Sequence, residues 1–377
     1  MHVAVIGGAG FIGGHLVDAL VTKNFKVRII DSLDPQVHPD GLPPAYLNKD
    51  AEFINQNVTD LEGLANSLEG VEGIFYLAGA VGVGDSMYRI RHYAEANVLG
   101  AANLLDVLAN RKNTIRKIVV ASSVTVYGEG RYSCPRHGVV FPSVRTMKNP
   151  RSGSWEMECE TTDGAKVCGE TLTPEATDEE KPAAPQSIYA VTKRTQEELF
   201  LTAGRTYKIP VSVLRYFNVY GSRQSLSNPY TGVVKVFALD FSQGKMPTIY
   251  EDGMQTRDFV HVSDIVAANI LALQHDEADW QIFNVGTGHP VTVLEMARAV
   301  AGEFGGTAIP QPLNRYRAGD VRHCWADTSK IRKLLGFEPK AIFPSGIESV
   351  LKQADVESAL NRNGVEQAGL VRRGLIV

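Results

Sequence analysis

The stretch that decides the fold lies at the start of the chain, where residues 2–14 read HVAVIGGAGFIGG. A strand-like run is followed by glycines at positions 7, 10 and 13 and by a helical pattern from about Phe11 to Thr22. Such glycines allow a tight turn and let the backbone approach a pyrophosphate, which the N-terminus of the helix then holds. The spacing predicts a βα unit that binds a dinucleotide.

Asp31 directly follows the second strand-like run, KVRII (residues 26–30), some 20 residues after the glycines. A carboxylate at this point can accept hydrogen bonds from the hydroxyls of a ribose, and it repels a 2′-phosphate. The sequence therefore favours NAD over NADP as the dinucleotide.

The first half of the chain alternates apolar runs with helical patterns. Strand-like runs at 73–79 and 116–123 flank a long helix predicted near residues 87–109. This alternation predicts a parallel sheet that helices cover on both faces. It stops at about 129–185, a stretch with almost no periodicity, and resumes with a helix that contains YAVTK and the strand VSVLRYF.

The composition is that of an ordinary globular protein. The chain has 377 residues, 44% of them hydrophobic, a net charge of −4 and four cysteines. The charge gives no reason to expect binding to nucleic acid, and no run approaches the roughly 18 apolar residues of a membrane helix. The N-terminus goes straight into a strand-like run without a basic region or a cleavage site. We expect a cytoplasmic protein.

A tyrosine and a lysine in the pattern YxxxK carry the predicted chemistry. Tyr189 and Lys193 are one helical turn apart, on one face of the predicted helix. A neighbouring ammonium and an oxidised nicotinamide both favour phenolate, so we expect the pKa of Tyr189 to be lowered towards the range of a useful base. Ser123, in SSVTVYG at the end of a strand, can share a hydrogen bond with the same substrate oxygen.

Five motifs taken together, namely the glycine turn, SSVTVYG, YAVTK, RYFNVYG and QTRDFVHVSD, resemble the extended short-chain dehydrogenase/reductases, specifically the nucleotide-sugar epimerases. The resemblance implies a Rossmann-type doubly wound parallel sheet that binds NAD and a smaller C-terminal α/β domain that binds a nucleotide-diphosphate sugar. It also implies a homodimer through the two helices near 87–109 and 187–205.

The resemblance carries site residues over motif by motif. It implies a catalytic set of Ser123, Tyr189 and Lys193. It implies cofactor contacts from Gly7, Gly10, Phe11, Ile12, Gly13, Asp31, Asn57, Val58, Leu77, Ala78, Gly79, Asn97, Tyr189, Lys193, Tyr216 and Phe217. Asn57 and Val58 stand where the family usually has the Asp-Ile/Val pair that holds adenine, and the side-chain oxygen of Asn57 can still bond the adenine amino group. It implies substrate contacts from Ser123, Asn218, Arg257, Arg317 and Asp320, and the planar fork of arginine suits phosphate.

The residues after the catalytic serine separate the reactions that this scaffold supports. Dehydratases of the family place an Asp-Glu pair there and decarboxylases a Glu, whereas this chain has Val124 and Thr125. Neither side chain can act as the acid or base that elimination needs. The sequence therefore favours a 4-epimerase, acting on a dTDP-6-deoxyhexose or a UDP-hexose. The alternatives are a 4,6-dehydratase or another sugar-modifying enzyme of the family, and a non-catalytic NAD sensor.

Residues 129–182, which we call the insertion, separate Ser123 and Tyr189 further than the family pattern does. The insertion contains CPRHG, the form of one zinc knuckle, and two further cysteines. Three alternatives are open: a structural zinc, a former zinc ribbon that no longer binds metal, and a disulfide between Cys159 and Cys168. The candidate zinc ligands are Cys134, His137, Cys159 and Cys168. Cys324 is expected to be a core residue.

The predicted domain organisation follows from these boundaries. Residues 1–128 with 183–220 and 259–284 form the NAD-binding domain, and the insertion forms a loop subdomain within it. Residues 221–258 with 285–377 form the domain that binds the nucleotide sugar.

Overall fold

The computed structural model describes residues 1–143, 155–160, 166–224, 232–305, 310–317 and 319–351. The strands are β1 (His2–Ile6), β2 (Lys26–Asp31), β3 (Glu52–Asn55), β4 (Gly73–Tyr76), β5 (Lys117–Ser123), β6 (Arg131–Cys134), β7 (Gly138–Val140), β8 (Glu158–Glu160), β9 (Lys166–Thr171), β10 (Thr173–Glu175), β11 (Val211–Tyr216), β12 (Asn218–Tyr220), β13 (Thr256–His261), β14 (Ile282–Val285), β15 (Pro290–Thr292) and β16 (His323–Cys324). The α-helices are α1 (Phe11–Thr22), α2 (Leu61–Ser67), α3 (Val83–Ser86), α4 (Ile90–Tyr93), α5 (Gly100–Asn110), α6 (Ile188–Tyr207), α7 (Val233–Ser242), α8 (Val262–Gln274), α9 (Val293–Glu303), α10 (Ser329–Leu335) and α11 (Ile347–Leu351).

Seven parallel strands form the central sheet in the order β3-β2-β1-β4-β5-β11-β14. The chain builds outwards from β1 first in one direction and then in the other. The carboxyl ends of β1 and β4 therefore face a crevice where the strand order reverses, which is where such sheets hold their ligands. This order confirms the predicted Rossmann-type fold.

Helices cover both faces of the sheet because alternate residues of each strand point to opposite sides. Val3 and Val5 of β1 belong to a core on the side of α1 and α8. Ala4 and Ile6 belong to a second core on the side of α2, α5 and α6. Both faces of β1 are fully buried, which explains why its sequence is continuously apolar.

The helix predicted over residues 87–109 runs without a gap from Ile90 to Asn110, and its middle, Ala94–Leu99, is a π-helix between α4 and α5. The short helix α3 precedes it. The structure thus contains the predicted helix, with a π-helical segment that the prediction did not include. The π-helix carries the buried Asn97, whose side chain is bonded to the backbone of Ala80.

The C-terminal half forms a smaller sheet of β12, β13, β15 and β16. Helices α7, α9 and α11 pack on it around a separate apolar core that includes Phe237, Phe259 and Met296. The domain boundaries given above stay a prediction. Among the described helices, none is both long and apolar enough to cross a membrane.

The insertion contains more regular structure than its sequence pattern predicts. It holds β6, β7 and β10 in an antiparallel sheet and β8 with β9 in a hairpin. These strands are three to six residues long, too short for a clear periodicity. At the base of the insertion, the N–H of Ala184 donates to the carbonyl of Val126 at 3.0 Å.

Candidate active site

A cavity of about 540 Å³ opens at the carboxyl ends of six strands of the central sheet, β1, β2, β3, β4, β5 and β11. It brings together the catalytic set, the residues predicted for the cofactor apart from Asn97, and the predicted substrate contacts Ser123 and Asn218. Those that line it are Gly7, Gly10, Phe11, Ile12, Gly13, Asp31, Asn57, Val58, Leu77, Ala78, Gly79, Ser123, Tyr189, Lys193, Tyr216, Phe217 and Asn218.

The glycine turn has the close packing that requires glycine. Gly7 adopts φ of +86°, and a Cβ on Gly13 would lie 2.3 Å from the carbonyl oxygen of Gly7. Gly10 is the N-cap of α1, and the backbone of the first helical turn borders the cavity. The turn therefore presents unscreened N–H groups and the positive end of a helix dipole, which fits a pyrophosphate.

The carboxylate of Asp31 is fixed at the end of β2. It accepts hydrogen bonds from the N–H of Ala9 at 3.0 Å and from the N–H of Leu33 at 2.9 Å. Among the described residues that line the cavity, Lys193 is the only lysine or arginine. The cavity therefore fits a ribose with free hydroxyls better than a 2′-phosphate.

Asn57 lines the predicted adenine end of the cavity, but its oxygen is already engaged. Its Oδ1 accepts from the N–H and the hydroxyl of Thr59 at 3.0 and 2.9 Å. The side-chain NH₂ of Asn57 is therefore the group that can face a ligand, whereas the sequence pointed to its oxygen.

Asn97 lies behind the cavity and is not among its lining residues. Its amide group accepts from the N–H of Ala80 at 2.8 Å and donates to the hydroxyl of Thr192 at 2.9 Å. The carbonyl of Asn97 accepts from Gln196 at 2.8 Å. Asn97 thus connects the backbone of Ala80, which follows β4 and borders the cavity, to Thr192 and Gln196 of α6.

Ser123, Tyr189 and Lys193 meet where β5 ends and α6 begins. Ser187 caps α6 by accepting from the N–H of Ala190, which places Tyr189 in the first helical turn. Burial raises the pKa of the Tyr189 phenol to about 12, and a hydrogen bond with Ser123 acts in the opposite direction. In the protein alone, burial of the phenol therefore raises this pKa. The predicted lowering, which includes the charge of an oxidised nicotinamide, stays a prediction.

Burial has the opposite effect on the lysine. It lowers the pKa of Lys193 to about 8, and the charge of Glu197 one turn further along α6 acts against it. At neutral pH, keeping Lys193 charged in the cavity therefore costs free energy.

On the predicted substrate side, Asn218 borders the cavity and three other residues lie outside its lining. The side-chain oxygen of Asn218 is buried without a hydrogen-bond partner among the described residues. Asp320 lies 3.6 Å from Arg257 and 3.1 Å from Arg317. Arg257 also donates to three backbone carbonyls, those of Thr256, Val321 and Arg322. The structure therefore brings Arg257, Arg317 and Asp320 together, with much of the Arg257 guanidinium engaged by the protein itself.

Among the residues that line the cavity without having been predicted as site residues, Thr125, His92 and Glu95 carry polar side chains close to the catalytic set or to the π-helix. The hydroxyl of Thr125 donates to the Oγ of Ser123 at 2.9 Å, and His92 and Glu95 reach the cavity from α4 and the π-helix. The two-residue spacing of Thr125 from Ser123 was a usable signal. No sequence signal identified His92 and Glu95 as site residues, because the π-helix shifts the helical phase on which a periodicity argument depends.

The four candidate zinc ligands of the insertion form one cluster, with their ligand atoms all within 4.8 Å of one another. The Nδ1 of His137 lies 3.4, 3.3 and 3.7 Å from the sulfurs of Cys134, Cys159 and Cys168. All four cysteines of the chain are free thiols, so the disulfide alternative is wrong. Cys324 is buried beside Thr177, as expected of a core residue.

Comparison with known families gives matches over both halves of the chain. Residues 3–145 match the NAD dependent epimerase/dehydratase family, and residues 165–350 match the family described as GDP-mannose 4,6 dehydratase. The dTDP-L-rhamnose 4-epimerase of Burkholderia thailandensis is 33% identical over 92% of each chain. The UDP-glucose 4-epimerase of Mycolicibacterium smegmatis is 30% identical, over 93% of this chain and 98% of its own.

Solved structures show the same architecture. The UDP-glucose 4-epimerase of Thermotoga maritima, solved with UDP-glucose, has a TM-score of 0.74 at 28% identity, covering 93% of this chain and 98% of its own. The UDP-glucuronic acid 4-epimerase of Bacillus cereus, solved with UDP-glucuronic acid and NAD, has a TM-score of 0.74 at 25% identity, covering 96% and 100%. Together with the glycine turn and the cavity, these matches show that the chain belongs to the NAD-dependent epimerase/dehydratase family.

Proposed function

We propose that this protein is an isomerase, an NAD-dependent 4-epimerase of a nucleotide-diphosphate sugar. One observation carries the proposal: a single cavity is lined both by Ser123, Tyr189 and Lys193 and by the glycine turn. The cofactor would be held by the predicted set: the turn at its pyrophosphate, Asp31 at its ribose, and Tyr216 and Phe217 near its nicotinamide. Asn97 would support that set from behind.

In the proposed reaction the chain's own residues move one proton and hold one oxygen. Tyr189 takes the proton of the sugar's 4-hydroxyl while Ser123 donates a hydrogen bond to the same oxygen. Bound NAD supplies a hydride acceptor and, when oxidised, a positive charge that favours the phenolate. The 4-keto sugar turns over in the cleft, its other face receives the hydride, and Tyr189 returns the proton.

The side chains that follow Ser123 favour epimerisation over dehydration. Val124 and Thr125 both border the cavity, and neither can transfer a proton to or from C5 or the 6-hydroxyl. Residues 165–350 match the family described as GDP-mannose 4,6 dehydratase. We attribute this match to the oxidation at C4, which is the first step of both reactions. A dehydratase is the second candidate, and a sensor is disfavoured because all three catalytic side chains are present.

The substrate class follows from relatives and from the cluster beyond the cavity. Relatives are named for dTDP-L-rhamnose and for UDP-glucose, and we propose a dTDP-6-deoxyhexose or a UDP-hexose. Asn218, Arg257, Arg317 and Asp320 would bind its diphosphate and ribose. We expect the stretch GSRQSLSNPYTG, residues 221–232, to approach the sugar and the nucleotide. Its residues 225–231 lie outside the described part of the chain.

A panel of UDP-, dTDP- and GDP-sugars, followed by NMR at C4, tests the function. Interconversion of the two C4 epimers of one sugar is the expected result. Loss of the 6-hydroxyl would favour the dehydratase, and a protein that holds NAD but converts no sugar would favour the sensor.

We also propose that the Cys134, His137, Cys159 and Cys168 cluster binds a structural zinc ion. Zn–S bonds of about 2.3 Å and Zn–N bonds of about 2.0 Å in a tetrahedron give edges of about 3.8 Å between sulfurs and about 3.5 Å between sulfur and nitrogen. The corresponding distances here are 3.6 Å between Cys134 and Cys168 and 3.3–3.7 Å to His137. All four positions are filled by the protein, which is typical of a structural site.

Metal analysis of the purified protein tests the zinc. About one zinc per chain is expected in the wild type and in Cys324→Ala, and a large loss in Cys159→Ser. Zinc below about a tenth of an equivalent in the wild type would leave the former ribbon as the correct reading.

A further inference from the structure

The insertion contacts the C-terminal half of the chain through backbone hydrogen bonds of Gly130 and Thr177 and through the carboxylate of Glu156. This carboxylate accepts hydrogen bonds from the Nε and a terminal nitrogen of Arg322, the former at 3.1 Å, and it lies 3.0 Å from the Nε2 of His323. The bond with His323 and the charge of Arg322 lower the pKa of Glu156 to about 2. Glu156 is therefore charged throughout the physiological range.

Arg322 is fully buried and collects carboxylates from two directions. Glu251 accepts from it at 3.0 Å, and Asp252 accepts at 2.6 and 2.9 Å. Glu129, at the root of the insertion, accepts the backbone N–H groups of Arg322 and His323 at 3.0 and 2.8 Å. Two acidic residues of the insertion thus fix both the side chain and the backbone at the start of β16.

The backbone fixed in this way orients the proposed nucleotide-binding cluster. β16 pairs with β13, in the register Thr256 with His323 and Arg257 with Cys324. The guanidinium of Arg257 donates to the carbonyls of Val321 and Arg322. A shift of this backbone therefore moves the guanidinium of Arg257.

The position of Glu156 depends in turn on the cysteine cluster. Its neighbour Met157 is buried in a small core with Cys134 and Cys159, and the carbonyl of Met157 accepts from the N–H of Leu172 at 2.8 Å. A core of this size buries little apolar surface, so a metal that joins its cysteines would add to its stability.

We propose that the zinc-bound insertion is a clamp on the substrate half, in which the metal holds Glu156 against Arg322 and thereby sets the affinity for the nucleoside diphosphate part of the substrate. Glu156 is a positioning residue, and the hydride chemistry proceeds without it. The inference rests on the proposed zinc site and on the proposed nucleotide-sugar substrate.

Glu156→Gln tests the clamp, with Glu170→Gln as the matched control, because Glu170 lies on the same insertion and pairs with the exposed Arg136. Binding of UDP and dTDP alone is measured by calorimetry, together with KM, kcat and the affinity for NAD. We expect Glu156→Gln to weaken nucleoside diphosphate binding and to raise KM by about tenfold, with kcat and NAD binding close to wild type. Unchanged affinity in Glu156→Gln, or an equal loss in Glu170→Gln, would overturn the clamp.

Removing the metal from the wild type with a strong chelator gives a second, independent measurement. We expect the same weakening of UDP or dTDP binding, its recovery when zinc is restored, and no additional weakening when the metal is removed from Glu156→Gln. Additive losses would show that the metal acts by another route and would contradict the inference. Nucleoside diphosphate binding is measured without turnover. The clamp can therefore be tested even if the protein proves not to be an epimerase.

Discussion

Burial acts in opposite directions on the two groups that the proposed proton transfer requires. It raises the pKa of Tyr189 to about 12 and lowers that of Lys193 to about 8. Both shifts favour the neutral form of the side chain, so the apolar surroundings prefer a neutral phenol at Tyr189 and a neutral amine at Lys193. The charge that shifts the phenol towards phenolate must therefore come from ligands held against these residues.

Replacing Tyr189 by phenylalanine removes the proposed base and leaves the packing. We predict a fall in kcat of about 10²–10⁴-fold, with NAD affinity close to wild type. Tyr207→Phe is the control, because Tyr207 ends the same helix and is half exposed. NMR of the C4 epimers measures the rate, and full turnover in Tyr189→Phe would refute the assignment.

The buried Lys193 makes a pH-dependent stability difference. Its folded pKa of about 8 lies below the unfolded value near 10.4, so the cost of charging it is fully present below pH 8 and disappears as the pH rises to about 10.4. We predict that Lys193→Met stabilises the cofactor-free protein at pH 7, by an amount on the order of 2–3 kcal/mol, and that this gain shrinks towards zero near pH 10.4.

Urea unfolding of both proteins at pH 7 and pH 10 measures this difference, with the exposed Lys23→Met as the matched lysine deletion. A gain that is the same at both pH values would contradict the burial argument.

At the scale of the element, one carboxylate fastens the catalytic helix to the sheet. Glu197 of α6 accepts from the Ser122 hydroxyl of β5 at 2.6 Å and from Arg215 of β11 twice at 2.8 Å. Arg215 in turn stacks on the ring of Tyr127, 4.6 Å from its centre. These contacts fasten the middle of α6 to β5 and β11.

Glu197→Gln should destabilise the protein strongly, because it leaves the buried charge of Arg215 without its partner. We predict a loss of about 3–5 kcal/mol in the free energy of unfolding, read from urea denaturation. Glu198→Gln, which removes a mostly exposed partner of Arg194, should cost at most about 1 kcal/mol. Similar losses in the two variants would show that the buried pair contributes no more than a surface pair.

Elements with a regular apolar period were predictable, and those shaped by distant contacts were not. The glycine turn, α1 and the central-sheet strands β1, β2, β4, β5 and β11 followed from local pattern alone. The π-helical segment Ala94–Leu99 carries Asn97, which is bonded to Ala80, a residue that no local period connects to it. The short strands of the insertion depend on one another and on the cysteine cluster.

For the whole molecule, exposed apolar side chains indicate how two copies would meet. Ile90, Leu99 and Val191 are 53%, 45% and 45% exposed on helices next to the cavity, and we propose that they form a homodimer interface. We predict that Val191→Glu lowers the mass in solution from dimer to monomer, by light scattering. Val167→Glu, which changes an exposed valine of the insertion, should stay dimeric, and a wild-type monomer would rule out the interface.

The site could be predicted at this scale only because several motifs occur in one order. Ser123 ends β5 and lies opposite Tyr216 of β11, while Tyr189, distant in sequence, lies at the start of α6, which precedes β11. The alternation of strands and helices predicts that these elements are neighbours. What the pattern could not supply was the state of each group: that Arg257 is engaged by carbonyls, that Asn97 stands behind the cavity, and that burial raises the pKa of Tyr189.

The base of the insertion is a seam at which the chain leaves the fold and re-enters it. Val126 and Ala184 share a backbone hydrogen bond there, and a Cβ on Gly128 would touch the carbonyl oxygen of Ala184 at 2.3 Å. This contact joins the two ends of the inserted chain, and each doubling of the length of such a loop costs only about 0.6 kcal/mol. Evolution could therefore add or delete a module here, and a protein engineer could graft a foreign domain, without changing the order of a single strand.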